Sequence, residues 1–220
     1  MTTFATMKLR IVDETVRDDL TATQLNNAIN DAIRQWEGER FVFNEKRYQI
    51  LTVADQEYYD LAGPTLLTSA GAAVETGELL LELDDITATV NSQPYRLNQR
   101  TQRWFNEHSL TTYTGQPNDY TIYGNQLRIF PVPDAVYTLD LSGMGRLGPN
   151  PLSADVHTNA WMTEGEALIR HHAKMLIYRD VLRDNEGAGL AVEGMKEAEH
   201  HLKRKMAAKA YTGRIKAWTL

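Results

Sequence analysis

The sequence predicts an α+β fold in which an antiparallel β-sheet or sandwich region is flanked by an N-terminal helix and by a C-terminal helical hairpin with an extended C-terminal tail. Three observations predict this fold. Apolar residues recur at helical spacing from about residue 20 to 38 and again from about 158 to 211. Short alternating apolar stretches lie between these helical regions and are separated by Gly, Pro and Asn. A breaker cluster at 147–152 then separates the β-rich region from the closing helices.

The composition narrows the class of protein. The chain has 220 residues, of which 42% are hydrophobic and 24% charged, as in ordinary globular proteins. It has no cysteine, which excludes disulfides, cysteine nucleophiles and thiolate metal sites. A net charge of -6 argues against general nucleic-acid binding, which needs a basic surface. We expect neither a signal peptide nor a membrane span, because no stretch approaches the ~20 apolar residues that a span needs.

The N-terminal segment, residues 1–43, is predicted to hold one helix that begins after Thr21 and ends near Gly38. Thr21 and Gln24 match a capping box, and Leu20 and Leu25 are placed as a hydrophobic staple. The residues that recur at helical spacing are Leu25, Ala28, Ile29, Ala32, Ile33 and Trp36. We expect this stripe to pack in the core of the domain, or alternatively against a neighbouring subunit.

Residues 44–148 are predicted to form the β-rich region. The candidate strands are 47–53, 57–61, 79–90 and 137–141, with a short helix at 98–108. Short connections favour an antiparallel arrangement. The stretch 63–77 is rich in Gly, Ala, Ser and Thr, so we expect a mobile loop there.

A hairpin from Gly115 to Tyr137 lies at the centre of this region. Its apolar residues alternate at Tyr120, Ile122, Leu127 and Ile129. The dipeptide Gly124-Asn125 is expected to supply the two positive φ angles of a tight turn. Pro131 and Pro133 lack an N–H, so they are expected to end the strand and turn the chain.

The C-terminal region is predicted to be a helical hairpin over residues 149–212, followed by an extended tail over 213–220. The first helix begins at Thr158 or Asn159 and runs to about Asp184, and the second spans about 188–211. One stripe of the second helix contains Ala191, Met195, Ala198, Leu202, Met206 and Ala210. Residues 203–216 carry six cations and no acid, which suits either the negative end of a helix dipole or binding to a partner.

Candidate catalytic and binding groups are weak in this sequence. The pairs His171-His172 and His200-His201 each point about 100° apart on a helix, so we expect surface or interface histidines and no metal site. Neither Glu164 with Glu166 nor Asp84 with Asp85 shows the separation or the raised pKa that glycoside hydrolysis requires. No Gly-x-Ser-x-Gly motif or phosphate-binding loop is present. The group Arg96, Arg100, Arg103 and Trp104 could stack on nucleic acid, although a solvated helix face is favoured.

The residue pattern of the hairpin also resembles that of a known family. The pattern Gly-x-Pro-x-x-Tyr-x-Ile-x-Gly-Asn-x-Leu-x-Ile-x-Pro-x-Pro, from Gly115 to Pro133, resembles the central β-region of tailed-bacteriophage head-to-tail adaptor proteins. The resemblance extends to the N-terminal helix, the strand at 137–141, the breaker at 149–152 and the two closing helices. One departure is Ser142-Gly143-Met144, where typical relatives continue the third strand into an aromatic residue.

The resemblance implies a virion protein of the head–tail neck, assembled in the host cytoplasm, with no enzymatic activity and no cofactor or metal. Copies would form a ring, expected to be dodecameric, between the portal protein and a tail tube, nozzle or tail-fibre component. DNA would pass through its channel without specific binding. The portal contacts are expected from the tail residues Arg214, Ile215, Lys216, Trp218 and Leu220. Met195, Leu202 and Met206 are expected on helical faces between subunits.

Two other functions remain open from the sequence alone. One is a cell-wall polysaccharide hydrolase or host-binding domain with a β-sandwich core. The other is a neck or tail-completion protein distal to the adaptor, which only its contacts with neighbours would distinguish.

Overall fold

The computed structural model describes residues 2–17, 19–90, 93–108 and 113–216, with side chains up to residue 209 in the last helix. The chain forms two compact units. Met1–Asn44 and Pro149–Leu220 together make a helical unit, and Glu45–Gly148 make a β unit. The α+β fold class that the sequence predicts is therefore confirmed.

The described part of the chain contains six α-helices, five of which lie in the helical unit. They are α1 (Phe4–Thr15), α2 (Ala22–Trp36), α4 (Ala160–Thr163), α5 (Glu166–Leu176) and α6 (Asn185–Lys216), with α3 (Gln102–His108) lying in the β unit. A π-helical segment, Ile177–Leu182, extends α5. Helix α5 is central to the unit, because it packs against α1, α2, α4 and α6.

Helix α2 forms where its capping signal predicts. The side chain of Thr21 accepts the N–H of Gln24 at 3.3 Å, and the Gln24 side chain accepts the N–H of Thr21 at 2.8 Å. Two orphan N–H groups of the first turn are thereby satisfied. The helix buries Leu25, Ala28, Ile29, Ala32 and Ile33, which are five of the six predicted apolar positions.

Helix α1 was not predicted, because the residues before Thr21 carry no clear helical pattern. It has its own capping box between Thr3 and Thr6, and it buries Phe4, Met7 and Ile11. Leu9 within the helix and Val16 at its C-cap are 64% and 86% exposed. Exposed apolar residues at and near the helix blur the single-sided periodicity by which amphipathic helices are recognised.

The first helix of the C-terminal hairpin is interrupted, which corrects the prediction of one helix to Asp184. The Asn159 side chain accepts the N–H groups of Trp161 and Met162 and so caps α4. The chain breaks at Gly165, where a Cβ would lie 3.1 Å from the Trp161 ring. Trp161 is 1% exposed and meets the rings of Phe41 and Phe43 edge-on. The break lets α5 start in a new direction beside this aromatic cluster.

Helix α6 is longer than predicted at both ends. Asp184 accepts the N–H groups of Glu186 and Gly187, so the helix begins at Asn185 rather than near Ala188. Its backbone remains helical through Lys216. The expected extended tail is therefore wrong for 213–216, and residues 217–220 lie outside the described residues.

In its described residues, the β unit has two sheets that share one core. The first sheet has the order β3-β1-β11-β4-β5 and the second β2-β9-β8-β6, with a separate pair β7 and β10. The strands are β1 (Glu45–Leu51), β2 (Tyr58–Asp60), β3 (Leu67–Thr68), β4 (Leu79–Val90), β5 (Gln93–Arg96), β6 (Asn98–Gln99), β7 (Thr114–Gly115), β8 (Asp119–Tyr123), β9 (Gln126–Phe130), β10 (Val132–Pro133) and β11 (Thr138–Arg146). The shared core includes Tyr48, Ile50, Tyr59, Leu61, Ile86, Leu127, Ile129, Leu139 and Leu141.

The pairing is antiparallel as predicted except at two short contacts. Strand β6 runs parallel to β8, and β7 runs parallel to β10. Residues 98–99 are drawn into the second sheet by this pairing, so α3 starts at Gln102 instead of the expected Asn98.

The central hairpin has the predicted register, with Tyr123 opposite Gln126 across the turn. Of the two turn residues, only Gly124 has a positive φ, at 63°. Glycine at the first central position is the requirement of a type II′ turn. The expectation of positive φ at both Gly124 and Asn125 is therefore wrong.

The stretch 63–77 is attached to the sheet, which corrects the prediction of a mobile loop. Gly63–Thr65 form a 3₁₀ turn, and Leu67–Thr68 pair with β1. Leu66 is fully buried in the shared core. Val74 also packs against this core, so two apolar side chains of the stretch contact it.

The pairing of β11 with β4 has two β-bulges, with the extra residues Asp84 and Leu81 in β4, opposite the part of β11 that departs from the family pattern. Its register against β4 shifts after Ser142 and again after Met144. A Cβ at Gly143 would lie 2.0 Å from the carbonyl oxygen of Glu82, and one at Gly145 would lie 2.2 Å from the Tyr48 hydroxyl. Glycine is required here because other backbone and side-chain atoms occupy the space.

Candidate assembly surfaces

The stripe predicted as an inter-subunit face on α6 lies mostly in the core of the helical unit. Leu202 is 4% and Met206 is 5% exposed, while Met195 keeps intermediate exposure. The opposite side of α6 is polar, and Leu190 on its first turns is 66% exposed. The structure therefore does not present Leu202 and Met206 to a neighbouring subunit; of the three residues, only Met195 remains accessible.

The cations near the end of α6 are held by carboxylates of the same unit. Glu164 accepts from Lys205 at 2.8 Å and from Lys209 at 3.2 Å. These two hydrogen bonds lower the pKa of Glu164. Lys203 pairs with Glu199 at 2.7 Å, one helical turn away. The cluster thus ties the C-terminal half of α6 to α4, in addition to any effect on the helix dipole.

The predicted portal contacts lie at the limit of the described chain. The backbones of Arg214, Ile215 and Lys216 belong to α6, and their side chains lie outside the described residues. Trp218 and Leu220 lie outside them altogether. After Met206, the last buried described side chain, the α6 backbone continues in helical form for ten residues. At 1.5 Å per residue this is about 15 Å of helix.

The carboxylates considered for catalysis all have other interactions. Besides the Glu164 contacts above, Glu166 lies 2.9 Å from Arg10 and 3.1 Å from Arg170. Asp85 lies 2.5 Å from Arg96, and Asp84 also has a partner. Burial raises the pKa of Glu166, and the nearby Arg10 opposes this shift. The Glu166–Arg10 pair joins α5 to α1, whereas the Asp85–Arg96 pair joins β4 to β5.

The two adjacent histidines of α5 face different helices. The Trp36 indole N–H of α2 donates to His172 Nδ1 at 2.8 Å, and His172 is 3% exposed. His171 packs against Gly194 of α6, where a Cβ would lie 2.5 Å from His171 Nδ1. His200 and His201 are both exposed on α6. Within the described residues, no group of three or more His, Cys, Asp or Glu could hold a metal ion.

The arginines near α3 are paired. Arg100 lies 2.7 Å from Asp119 and Arg103 lies 2.7 Å from Glu107. The Arg100 guanidinium also lies over the Trp104 ring at 5.3 Å. Arg96 is paired to Asp85, so each of the three arginines has an acidic partner and the group is not a strongly basic surface.

Sequence reasoning missed Arg128, which joins α3 to the second sheet. It is 8% exposed, and its Nε donates to Glu57 at 2.6 Å. It also donates to Asn106 at 3.1 Å and lies over the Tyr58 and Phe105 rings. Its position in β9 between Leu127 and Ile129 gave only the ordinary signal of an outward-facing strand residue.

The excess negative charge belongs to the β unit. Residues 45–148 contain 13 acidic and 7 basic side chains, while the residues of the helical unit contain 16 of each. No helix in the described ranges is both long enough and apolar enough to cross a membrane. The two units therefore differ in net charge, acidic in the β unit and neutral in the helical unit.

These features define a protein with structural charge pairs and a long helix whose backbone continues past its last buried described side chain. A family model described as SU10 adaptor protein matches residues 2–215. The chain belongs to this family, which is one of bacteriophage adaptor proteins with a structural role. The resemblance drawn from the 115–133 wording is thereby confirmed. A search of curated proteins gives no match.

Proposed function

We propose that the protein is a head-to-tail adaptor whose copies form a ring between the portal and the tail and continue the DNA channel. The observation that carries this proposal is the family match over residues 2–215. A dodecamer is the expected ring, and the expected site is the neck of the virion. The role is structural, and the pairing of Glu164, Glu166 and Asp85 with cations favours it over a glycosidase.

The distal end of α6 and the residues that follow it in the sequence are the proposed portal-binding element. The cations Arg214 and Lys216 and the apolar residues Ile215, Trp218 and Leu220 come after Met206, the last buried side chain among the described residues. Because this segment follows the last buried described side chain in the sequence, a partner could contact it without displacing any described core residue. Apolar anchors among cations are the composition of a segment that gains its contacts on binding.

The acidic β unit supports the channel part of the proposal. Thirteen acids against seven bases repel the phosphate backbone of DNA, so the genome would move past without sticking. A tail tube, nozzle or fibre component remains the proposed partner on the far side of the ring.

Deleting residues 213–220 tests the portal contact. The variant should keep the thermal stability of the full chain, because no described buried side chain is lost. Binding to purified portal should fall at least about 30-fold, the effect of losing a central anchor worth about 2 kcal/mol. The measurement is co-sedimentation with portal together with a thermal melt of the free protein.

Two matched variants distinguish apolar from charged contacts with the portal. W218A/L220A removes the apolar anchors, and R214Q/K216Q removes the charges while leaving those anchors. We expect the first to weaken binding at all salt concentrations and the second mainly at low salt. Portal binding equal to that of the full chain after deletion of 213–220 would reject the α6 contact. Failure of the full chain to form any ring-sized species with portal would reject the adaptor role itself.

A further inference from the structure

We infer that His171 and His172 form a proton-sensitive joint that couples the packing of α5 against α2 and α6 to pH. The two residues are adjacent in α5, and a helix turns about 100° per residue, so they project to different neighbours. His172 meets α2 and His171 meets α6. A single acidification therefore acts on two helix contacts at once.

The His172 contact requires the neutral ring. Its Nδ1 accepts the indole N–H of Trp36 at 2.8 Å, so the ring proton must be on Nε2. Protonation of Nδ1 would set two donors against each other and leave a charge at a site that is 3% exposed. The Trp36 hydrogen bond would be lost and the imidazolium would lack solvent.

The His171 contact is also adapted to a neutral ring. Its Nδ1 is buried and has no hydrogen-bond partner in the described part of the chain. It lies against Gly194, and the absence of a side chain there lets α6 approach closely. A proton on this nitrogen would face the α6 backbone surface without an acceptor.

The charges around the two rings mostly oppose protonation. The positive charge of Arg179, in the π segment, disfavours protonation of His172. On the side of α2, His172 faces the neutral indole of Trp36. The charges of Lys174 and Arg170 in α5 disfavour protonation of His171, while the carboxylate of Glu197 in α6 favours it. Burial and these cations lower the pKa of both histidines.

The direction of the pH effect follows from this lowering. Unfolded histidine takes up a proton near pH 6.5, while the folded joint resists it. Below about pH 6.5 the unfolded or opened state therefore binds more protons, and the stability of the joint falls. Above that pH the contribution is complete. Each pKa unit of lowering changes the opening equilibrium by about tenfold once both states can be protonated.

The test uses the full chain and compares pH 7.5 with pH 5.5. Hydrogen exchange of α5 and α6 peptides should accelerate at the lower pH by at least about fivefold beyond the intrinsic exchange change. H172N keeps an acceptor near the Nδ1 position but does not titrate, so its acceleration should be much smaller. H200N, a change at an exposed histidine of α6, should behave like the parent.

A second measurement covers the case in which H172N does not fold. In the unmodified protein labelled with ¹⁵N-histidine, both rings should titrate below pH 6.5, and the Trp36 indole signal should change over the same range. Equal acceleration in H172N and parent, or histidine titration at an ordinary midpoint without any change at Trp36, would overturn the inference.

Discussion

Gly143→Ala should destabilise the β unit by about 3 kcal/mol, one of the two largest effects we expect. The new Cβ would lie 2.0 Å from the carbonyl oxygen of Glu82 and 3.1 Å from a methyl group of Leu80. A backbone carbonyl in a paired strand cannot move aside without breaking the ladder between β4 and β11. The measurement is urea unfolding followed by β-sheet circular dichroism.

Gly189→Ala is the matched control for this change. Gly189 lies in α6 and has no heavy atom within 4 Å of an ideal Cβ. The same substitution there should stabilise the protein by up to about 1 kcal/mol, because alanine favours the helix over glycine. A Gly143→Ala variant as stable as the parent would show that the bulge after Ser142 is not constrained as described.

Arg128→Met should cost about 3–5 kcal/mol, because it removes the cation from a buried pair. The side chains of Arg128 and Glu57 are only 9% and 12% exposed, and their atoms lie 2.6 Å apart. The substitution also removes the hydrogen bond to Asn106 and the contacts with the Tyr58 and Phe105 rings. We therefore expect α3 to detach from the second sheet before the rest of the unit unfolds.

A double-mutant cycle with Glu57→Gln isolates the charge part of that effect. In E57Q/R128M no buried carboxylate is left without its cation, so much of the loss should be recovered. Arg128→Lys keeps the charge but cannot form the forked contacts, and should lie between the two. Additive losses in the cycle would contradict a coupled pair and would place the cost in the ring contacts alone.

The elements that the sequence predicted well carry local signals. Thr21 and Gln24 specify the start of α2 within four residues, and Gly124 specifies the hairpin turn. The residue pattern from Gly115 to Pro133 pointed to the family, because strand alternation and turn geometry together constrain its residue types.

The elements that it missed depend on contacts between distant residues. Leu66 anchors the 63–77 stretch because its side chain is buried in the core that the two sheets share. The break at Gly165 follows from the Trp161 ring packing with Phe41 and Phe43, more than 100 residues earlier. Burial of Leu202 and Met206 likewise depends on which side of α6 meets the rest of the unit, and periodicity alone does not specify that partner.

The unbroken course of α6 has a mechanical consequence. Thirty-two helical residues span about 48 Å, and the hydrogen-bonded backbone has no interruption between Asn185 and Lys216. Tension applied at the distal end is thus transmitted along the axis to Lys209 and Lys205, whose bonds to Glu164 resist it, and then to Leu202 and Met206. If a pulling force is applied at that end, the terminal turns will yield first and the Glu164 bonds second. The contacts of Glu164, Leu202 and Met206 with the rest of the unit therefore set the pulling force that α6 can withstand.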